Sequence, residues 1–314
     1  MILTVTANPA LDLTWHVERL VEGGTHRADT GAARAGGKGL NVARVAHAEG
    51  ADALAITTVG GRVGAEFAAE LGASGVPHAL VPVAAETRRS IAVVDESRGD
   101  TTIINERGAN PTDEEWAALL AEVVERLPSA GVLVIAGSMP PGAPDSLIPL
   151  LIAVGKDAGV PVIVDTSGSA LLRAADAGAT VLKPNAAELV EATGIADPVE
   201  GARALIARGT ELVLLSLGPD GMLAVTASTL VHARLDEPLA GNPTGAGDAG
   251  VAACAVLFAA GVRDPEQILR RATAWSAAAV LTPLAGDISP RWTELEQQLR
   301  VSHPDPASFR KDPS

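Results

Sequence analysis

Residues 241–250 read GNPTGAGDAG, and Gly245, Gly247 and Gly250 complete the pattern G-x-G-x-x-G. Whether this is a dinucleotide-binding turn decides the fold. Such a turn needs a buried strand running into its first glycine, then a helix, then a second strand ending in an acid. Here the preceding residues are DEPLAGNPT (236–244), with two prolines, so no buried strand feeds the turn. Asp264 lies near the right distance, but GVRDPEQI (261–268) is a helix-start signature where a strand is required. Asp248, inside the turn, would face a pyrophosphate and repel it. The dinucleotide reading fails, and without a G-K-[ST] sequence the turn is no Walker loop. What remains is a Gly-rich turn opening a long Ala-rich helix, GAGDAGVAACAVLFAAG (245–261). A helix N-terminus stabilises negative charge. Two readings stay open: a turn with Asp248 as a capping residue, or Asp248 as a general base beside an anion hole made by the amides of Gly245, Ala246 and Gly247.

The 314 residues are 47% hydrophobic but contain no tyrosine and only three phenylalanines, so Ala, Val and Leu fill the core. Such a core suits helices packed on a Val/Ile/Leu-rich parallel sheet. A formal net charge of −14 argues against nucleic acid or an anionic membrane as partner, while leaving room for a small anion where basic side chains converge. One cysteine, Cys254, permits no intrachain disulfide and fits a reducing compartment. No basic leader opens the chain and no apolar run of about 18 residues occurs, so a cytoplasmic protein is expected.

Short apolar runs at 2–6, 53–59, 131–137, 160–166, 179–185 and 211–218 alternate with amphipathic stretches at 39–49, 63–73, 113–126, 145–158, 186–193 and 198–208, the pattern of βα units. Four segments break it. LDLTWHVE (11–18) alternates with period two, 25–35 reads as a further strand, and SIAVVDE (90–96) with TTIINER (101–107) reads as a hairpin across SRGD (97–100). These strands lack crossover helices and would form a small sheet outside the main one, a flap over a site. The polar tail, 303–314, is expected to be mobile.

Eight motifs in order now carry a resemblance: TANPALD (6–12), AGGKGLNVARV (35–45), TR (87–88), AGSMPPG (136–142), VDTSG (164–168), KPNAAEL (183–189), SLGPDG (216–221) and TGAGDA (244–249). Over residues 1 to about 300 the chain resembles the ribokinase-like, PfkB-type carbohydrate kinases, and more narrowly the branch of 1-phosphofructokinases and tagatose-6-phosphate kinases. The resemblance implies a three-layer α/β/α sandwich with a mainly parallel central sheet and a small β-sheet lid. It implies one kinase domain over 1–302, with lid strands from about 11–18, 25–35 and 90–107. The implied reaction is ATP-dependent phosphorylation of a primary hydroxyl of a ketohexose phosphate, with Mg²⁺. Partners would be the sugar phosphate, ATP and a second copy joined through the lid strands.

By the same resemblance Asp248 takes the hydroxyl proton, and the amides of Gly245, Ala246 and Gly247 hold charge on the transferring group. Asp248 is expected to have a pKa lowered by the helix N-terminus, which loose phosphoryl transfer tolerates. Asp12, Gly37 and Asn41 would bind sugar hydroxyls with Lys38 nearby, and Ser138 ends a strand where open α/β sheets place ligands. Arg27 and Arg88 would hold the substrate's existing phosphate; ordinary solvated arginines are the alternative. Lys183, Asn185, Ser216, Gly218 and Gly221 would line the nucleotide site, with Ser276 and Ala279 leaving room for adenine. Asn185 and Glu188, three apart as a helix begins, would position Mg²⁺ through water; a capping pair is the compatible alternative. Thr244 and Asn242-Pro243 lean toward tagatose-6-phosphate kinases, whereas GANPTDEE (108–115) leans toward phosphofructokinases, so the sugar stays open. A ribokinase- or fructokinase-like activity on an unphosphorylated sugar or nucleoside, and a non-catalytic sugar-phosphate sensor, are the rivals.

Overall fold

Runs such as ILTVT and VLVIA are buried at every position, which forces them between two layers rather than onto a surface. The structure, a computed structural model, describes residues 1–304. Its strands are β1 (Ile2–Thr6), β2 (Ala10–Val17), β3 (Ala32–Gly36), β4 (Ala53–Val59), β5 (His78–Pro82), β6 (Arg88–Asp95), β7 (Asp100–Asn105), β8 (Val132–Ala136), β9 (Val162–Asp165), β10 (Val181–Leu182), β11 (Leu212–Ser216), β12 (Met222–Val225), β13 (Leu230–Arg234) and β14 (Arg300–Ser302). Ten of them form one sheet in the order β14-β13-β12-β11-β10-β9-β8-β1-β4-β5. From β11 to β5 every pairing is parallel, and β12 to β14 close one edge antiparallel.

The helices Asp113–Arg126, Leu147–Asp157, Ser169–Asp176, Ala186–Thr193 and Pro198–Arg208 cover one face around Leu133, Val162 and Leu215. Lys38–Ala48, Ala246–Ala259, Pro265–Val280 and Trp292–Gln298 cover the other, around Val134, Val251 and Trp275. This is the expected three-layer α/β/α sandwich. Each fully buried Leu or Ile in it contributes about 1.5–3 kcal/mol over exposure. Caps set the helix starts. Thr112 and Glu115 form a capping box, and Asp197 and Asp264 each cap a helix whose first residue is proline.

The second sheet, β3-β2-β6-β7, is the lid. β2 pairs parallel with β6, placing Asp12 opposite Ser90, while β3 and β7 flank them antiparallel. The hairpin turn is 96–99, one residue earlier than expected, because Asp100 already pairs with Asp95. Of the expected strand 25–35 only 32–35 is extended, continuing to Gly36; 25–31 is irregular. The tripeptide β14, the short strands β5, β12 and β13, and the brief helices Ser169–Asp176 and Trp292–Gln298 were not foreseen. Of the tail 303–314, residues from 305 onward lie outside the described residues.

Candidate active site

A cleft of about 780 Å³ opens between the lid and the sheet edge where β9, β10 and β11 end. The glycine-rich turn at 244–248 lines it. Gly245, with φ +84°, is the residue before the helix Ala246–Ala259; a Cβ there would lie 2.8 Å from that of Ala285. The Ala246 amide donates to the Pro243 carbonyl at 3.2 Å, so of the three amides expected to form an anion hole this one is already engaged. Asp248 follows in the first helical turn but caps nothing: no side chain caps this helix. Instead its buried Oδ2 accepts from Asn41 Nδ2 at 2.8 Å. Burial drives its pKa up to about 7, helped by the charge of Asp165 and resisted by Lys38, Asn41 and Lys183. The expectation of a lowered value is therefore corrected: desolvation outweighs the helix terminus. A carboxyl that titrates near neutrality is poised as a general base.

Lys38 starts the helix Lys38–Ala48 behind Gly37, whose φ of +121° and contact with Thr6 exclude a side chain. Its ammonium donates to Asp165 Oδ1 at 2.9 Å and lies 3.6 Å from Glu188 Oε1. Burial pulls the pKa of this lysine down, but Asp165, Asp248 and Glu188 outweigh it and hold the ammonium well above its usual range. Asp165, buried at the end of β9, is a site residue that the motif VDTSG contained but sequence reasoning did not single out. Its signal was position: an acid at the carboxyl end of a parallel strand.

On the lid side, Asp12 lies so close to β3 that a Cβ at Gly36 would overlap its carboxylate. Burial raises its pKa to about 6 against the pull of Arg88, Arg34, Ser90 and Arg44. Arg88 lines the same cleft, and its guanidinium donates to the carbonyls of Asn8 and Glu106. Burial lowers its pKa, with Asp12 and Glu106 opposing. Ile103 and Asn105 of β7 also face the cleft, unforeseen because every residue of that strand is exposed. Arg27 and Ser138 are placed elsewhere. Arg27 sits exposed in the irregular segment 25–31, and Ser138 Oγ accepts from Asn8 Nδ2 at 3.2 Å outside the cleft lining.

The opposite wall is built by Lys183, Asn185, Glu188, Ser216, Gly218, Gly221 and Ser276. Lys183 is buried, and its Nζ would stand 3.3 Å from a Cβ at Gly247, so it borders the glycine turn. Asn185 and Glu188 make the capping box that was the structural alternative: each side chain accepts from the other's backbone N–H at 2.9 Å. The Glu188 carboxylate still faces the cleft. Gly218 (φ +63°) and Gly221 (φ +89°) shape the turn after β11. On the helix Pro265–Val280, Thr273, Ser276, Ala277 and Val280 line the cleft, the i, i+3, i+4, i+7 face. Ala279 belongs to the other face and is core, not the adenine contact expected. Gly250 makes room for Ser276, since a Cβ there would stand 2.6 Å from its Oγ.

Among the described residues no group of three acid, His or Cys side chains could hold a metal directly, and no helix is long and apolar enough to cross a membrane.

The profile of a family described as pfkB family carbohydrate kinase matches residues 5–292. The chain is 34% identical over 297 residues to a 1-phosphofructokinase of Xanthomonas campestris pv. campestris, covering 92% of this chain and 93% of the relative. It superposes on phosphofructokinase-2 from Escherichia coli in complex with fructose-6-phosphate with a TM-score of 0.84, at 30% identity over 94% of this chain and 98% of that one. With a possible 1-phosphofructokinase from Thermotoga maritima the TM-score is 0.89, at 25% identity over 97% of this chain and 100% of the other.

Proposed function

This chain belongs to the pfkB family of carbohydrate kinases, and from that premise we propose that it transfers the γ-phosphoryl group of ATP to a primary hydroxyl of a ketohexose phosphate, giving a bisphosphate and ADP. The observation that carries the reading is Asp248: one buried carboxyl near neutrality, bonded to Asn41, between a lid bearing Asp12 and Arg88 and a wall bearing Lys183 and Glu188.

In this reading Asp12, Asn41 and the Gly37 backbone orient the sugar's hydroxyls, and Arg88 holds the phosphate it already carries. Asp248 takes the proton of the attacking hydroxyl as that oxygen bonds to phosphorus. The Gly245 and Gly247 amides, with Lys183 beside them, receive charge on the transferring group. Gly218, Gly221, Ser216 and Ser276 bound the nucleotide. One carboxylate and one amide, outside any group of three acid, His or Cys side chains among the described residues, suit Mg²⁺ held largely through its own waters, so Asn185 and Glu188 would hold it. When bound, it would offset the negative charge of the nucleotide phosphates. A sensor would have no use for a buried base at this position.

We further propose that residues 1–302 work as one kinase unit in the cytoplasm, and that two copies pair through the lid. The support for pairing is β7, an exposed edge strand carrying Ile103 and Ile104. Light scattering that finds a monomer at working concentration would contradict the pairing. Fructose 1-phosphate, tagatose 6-phosphate and fructose 6-phosphate are the candidate acceptors. A coupled ADP-release assay over these three and their free sugars tests the reading. Turnover of a phosphorylated ketohexose well above its free sugar is expected; preference for the free sugar would favour the ribokinase-like reading, and none on any sugar the sensor.

A further inference from the structure

Arg34 and Ala35 are neighbours in β3 but are bound to different parts of the molecule. The backbone of Ala35 is fixed to the body: its N–H donates to Glu70 Oε2 at 2.7 Å, and its carbonyl accepts from Arg44 Nη2 at 3.1 Å. Arg44 and Glu70 are themselves an ion pair at 2.7 Å, joining the helices Lys38–Ala48 and Gly61–Ala73 beside the strand. From this fixed post the Arg34 side chain reaches Ala285-Gly286-Asp287, in a stretch without helix or strand. Its Nη1 donates to the Ala285 carbonyl at 2.8 Å, and Nη1 and Nη2 grip the two Asp287 carboxylate oxygens at 2.9 Å each. Such a fork fixes direction as well as distance. The tripeptide so held presses on the reacting groups. A Cβ on Gly245 would stand 2.8 Å from that of Ala285, and one on Gly286 (φ +85°) 3.2 Å from Asn41 Oδ1. Asn41 in turn gives Asp248 its hydrogen bond at 2.8 Å.

We propose that Arg34 and Asp287 are positioning residues for the transfer, one clamp that holds Ala285 against the glycine turn and Gly286 against Asn41, so that base and anion hole keep their places. This rests on the kinase reading above. Neither residue lies in the cleft lining, so neither acts by touching a reactant. A partly exposed ion pair adds little to stability; the gain from this one is in placement. Released, the stretch around Gly286 moves off Asn41 and Gly245, and Asp248 loses the donor that aims it. A misplacement of about 1 Å from a mutation far from the chemistry can cost about 10²-fold in rate. Both halves of the clamp are needed. Arg34 and Arg44 are close enough to repel, and Asp287 attracts Arg44 as well as Arg34, so removing that carboxylate drives Arg34 off the loop.

Arg34→Met, Arg34→Lys, Asp287→Ala and the double variant Arg34→Met with Asp287→Ala are compared with wild type in steady-state kinetics. Amide hydrogen exchange is followed over 242–249 and 282–289. Arg34 stands opposite Asp12 in the pairing of β2 and β3, so Asp287→Ala, which keeps the arginine, is the cleaner arm. In both single variants we expect kcat to fall by about 10–100-fold, with KM for ATP and for the sugar phosphate nearly unchanged. The double variant should lose no more than Arg34→Met, since the two residues act as one unit. Arg34→Lys should not restore kcat, because a point charge cannot form the fork. Exchange should quicken across the glycine turn at 242–249, not only at 282–289. Additive losses, wild-type kcat in Asp287→Ala, or a raised KM for the sugar phosphate with kcat intact would overturn the proposal. Should Arg34→Met lose its cooperative melt, Asp287→Ala decides alone. Wild-type protein inert toward every ketohexose phosphate would overturn the kinase reading and the catalytic role of the clamp with it. Exchange reads the clamp without turnover: unchanged protection at 242–249 in Asp287→Ala overturns the clamp itself.

Discussion

Two carboxyl groups in one cleft, Asp248 and Asp12, are both pushed upward by burial, to about 7 and about 6. The base must be ionised to accept a proton, so kcat/KM should fall as pH drops below about 7, with Asp12 steepening the fall near 6. A pH–rate profile flat from 8 to 5.5 would contradict the assignment. The stability sign is opposite to that of a salt-bridged acid. Because the folded pKa of Asp248 exceeds its unfolded value of 3.8, its stabilising contribution is complete below the unfolded pKa and is lost as pH rises through the folded one. Asp248→Asn should therefore raise Tm over wild type at pH 8, by a margin that shrinks toward pH 4. Arg88 separates phosphorylated from free sugar. A charge-assisted hydrogen bond is worth roughly 1.5–3 kcal/mol, so Arg88→Met should weaken kcat/KM for the sugar phosphate by about 10–150-fold and barely change any activity on the free sugar. Arg27→Met, at an exposed position outside the cleft, should cost less than about 1 kcal/mol. Equal losses on both sugars would show that Arg88 reads no phosphate.

At the scale of elements, the lid depends on a close approach that only glycine allows. Asp12 of β2 lies against Gly36 of β3, where a Cβ would collide with its carboxylate. Gly36→Ala should displace Asp12 and raise KM for the sugar by about tenfold, while KM for ATP holds. Overpacking of this kind costs about 1–3 kcal/mol of stability, readable as a lower Tm; an unchanged sugar KM would free Asp12 from its assigned role. The lid strands were legible as period-two segments without crossover helices, and the hairpin was misplaced by a single residue. What stayed hidden was which lid residues face inward. β7 is exposed along its whole length, so burial patterning gives no sign that Ile103 and Asn105 meet the cleft. Conversely, Ser276 alone could not settle Ala279, since residues three apart share a face; only the full set Thr273, Ser276, Ala277 and Val280 centres the cleft stripe away from it and leaves it in the core with Ala272 and Trp275.

Across the whole molecule, the motifs placed the strand ends, turns and caps correctly because each is a local device: a glycine with positive φ, an Asx cap, a run buried on both sides. Charge coupling over long sequence separations was not local. Lys38 meets Asp165, 127 positions away, and Asn41 meets Asp248, 207 positions away. Neither the elevated pKa of Asp248 nor the pairing of Asp165 with Lys38 could be read before the fold joined them. The same long-range folding reconciles a net charge of −14 with an anionic substrate. Lys38, Lys183 and Arg88 gather in one cleft beside Asp12, Asp165, Glu188 and Asp248, so cations from distant parts of an acidic chain stand where an anion can reach them.

The central claim is that Asp248 is the base of a phosphoryl transfer to a ketohexose phosphate. Its most direct test is phosphorus NMR of the products formed from ATP and the best ketohexose phosphate by wild type and Asp248→Asn, with substrate affinities measured on both. Wild type should yield ADP and a sugar bisphosphate. The variant should bind both substrates nearly as well yet turn over about 10²–10⁴-fold more slowly, the usual effect of removing a general base. A variant that forms bisphosphate at half the wild-type rate, or a wild type that forms none, would contradict the account.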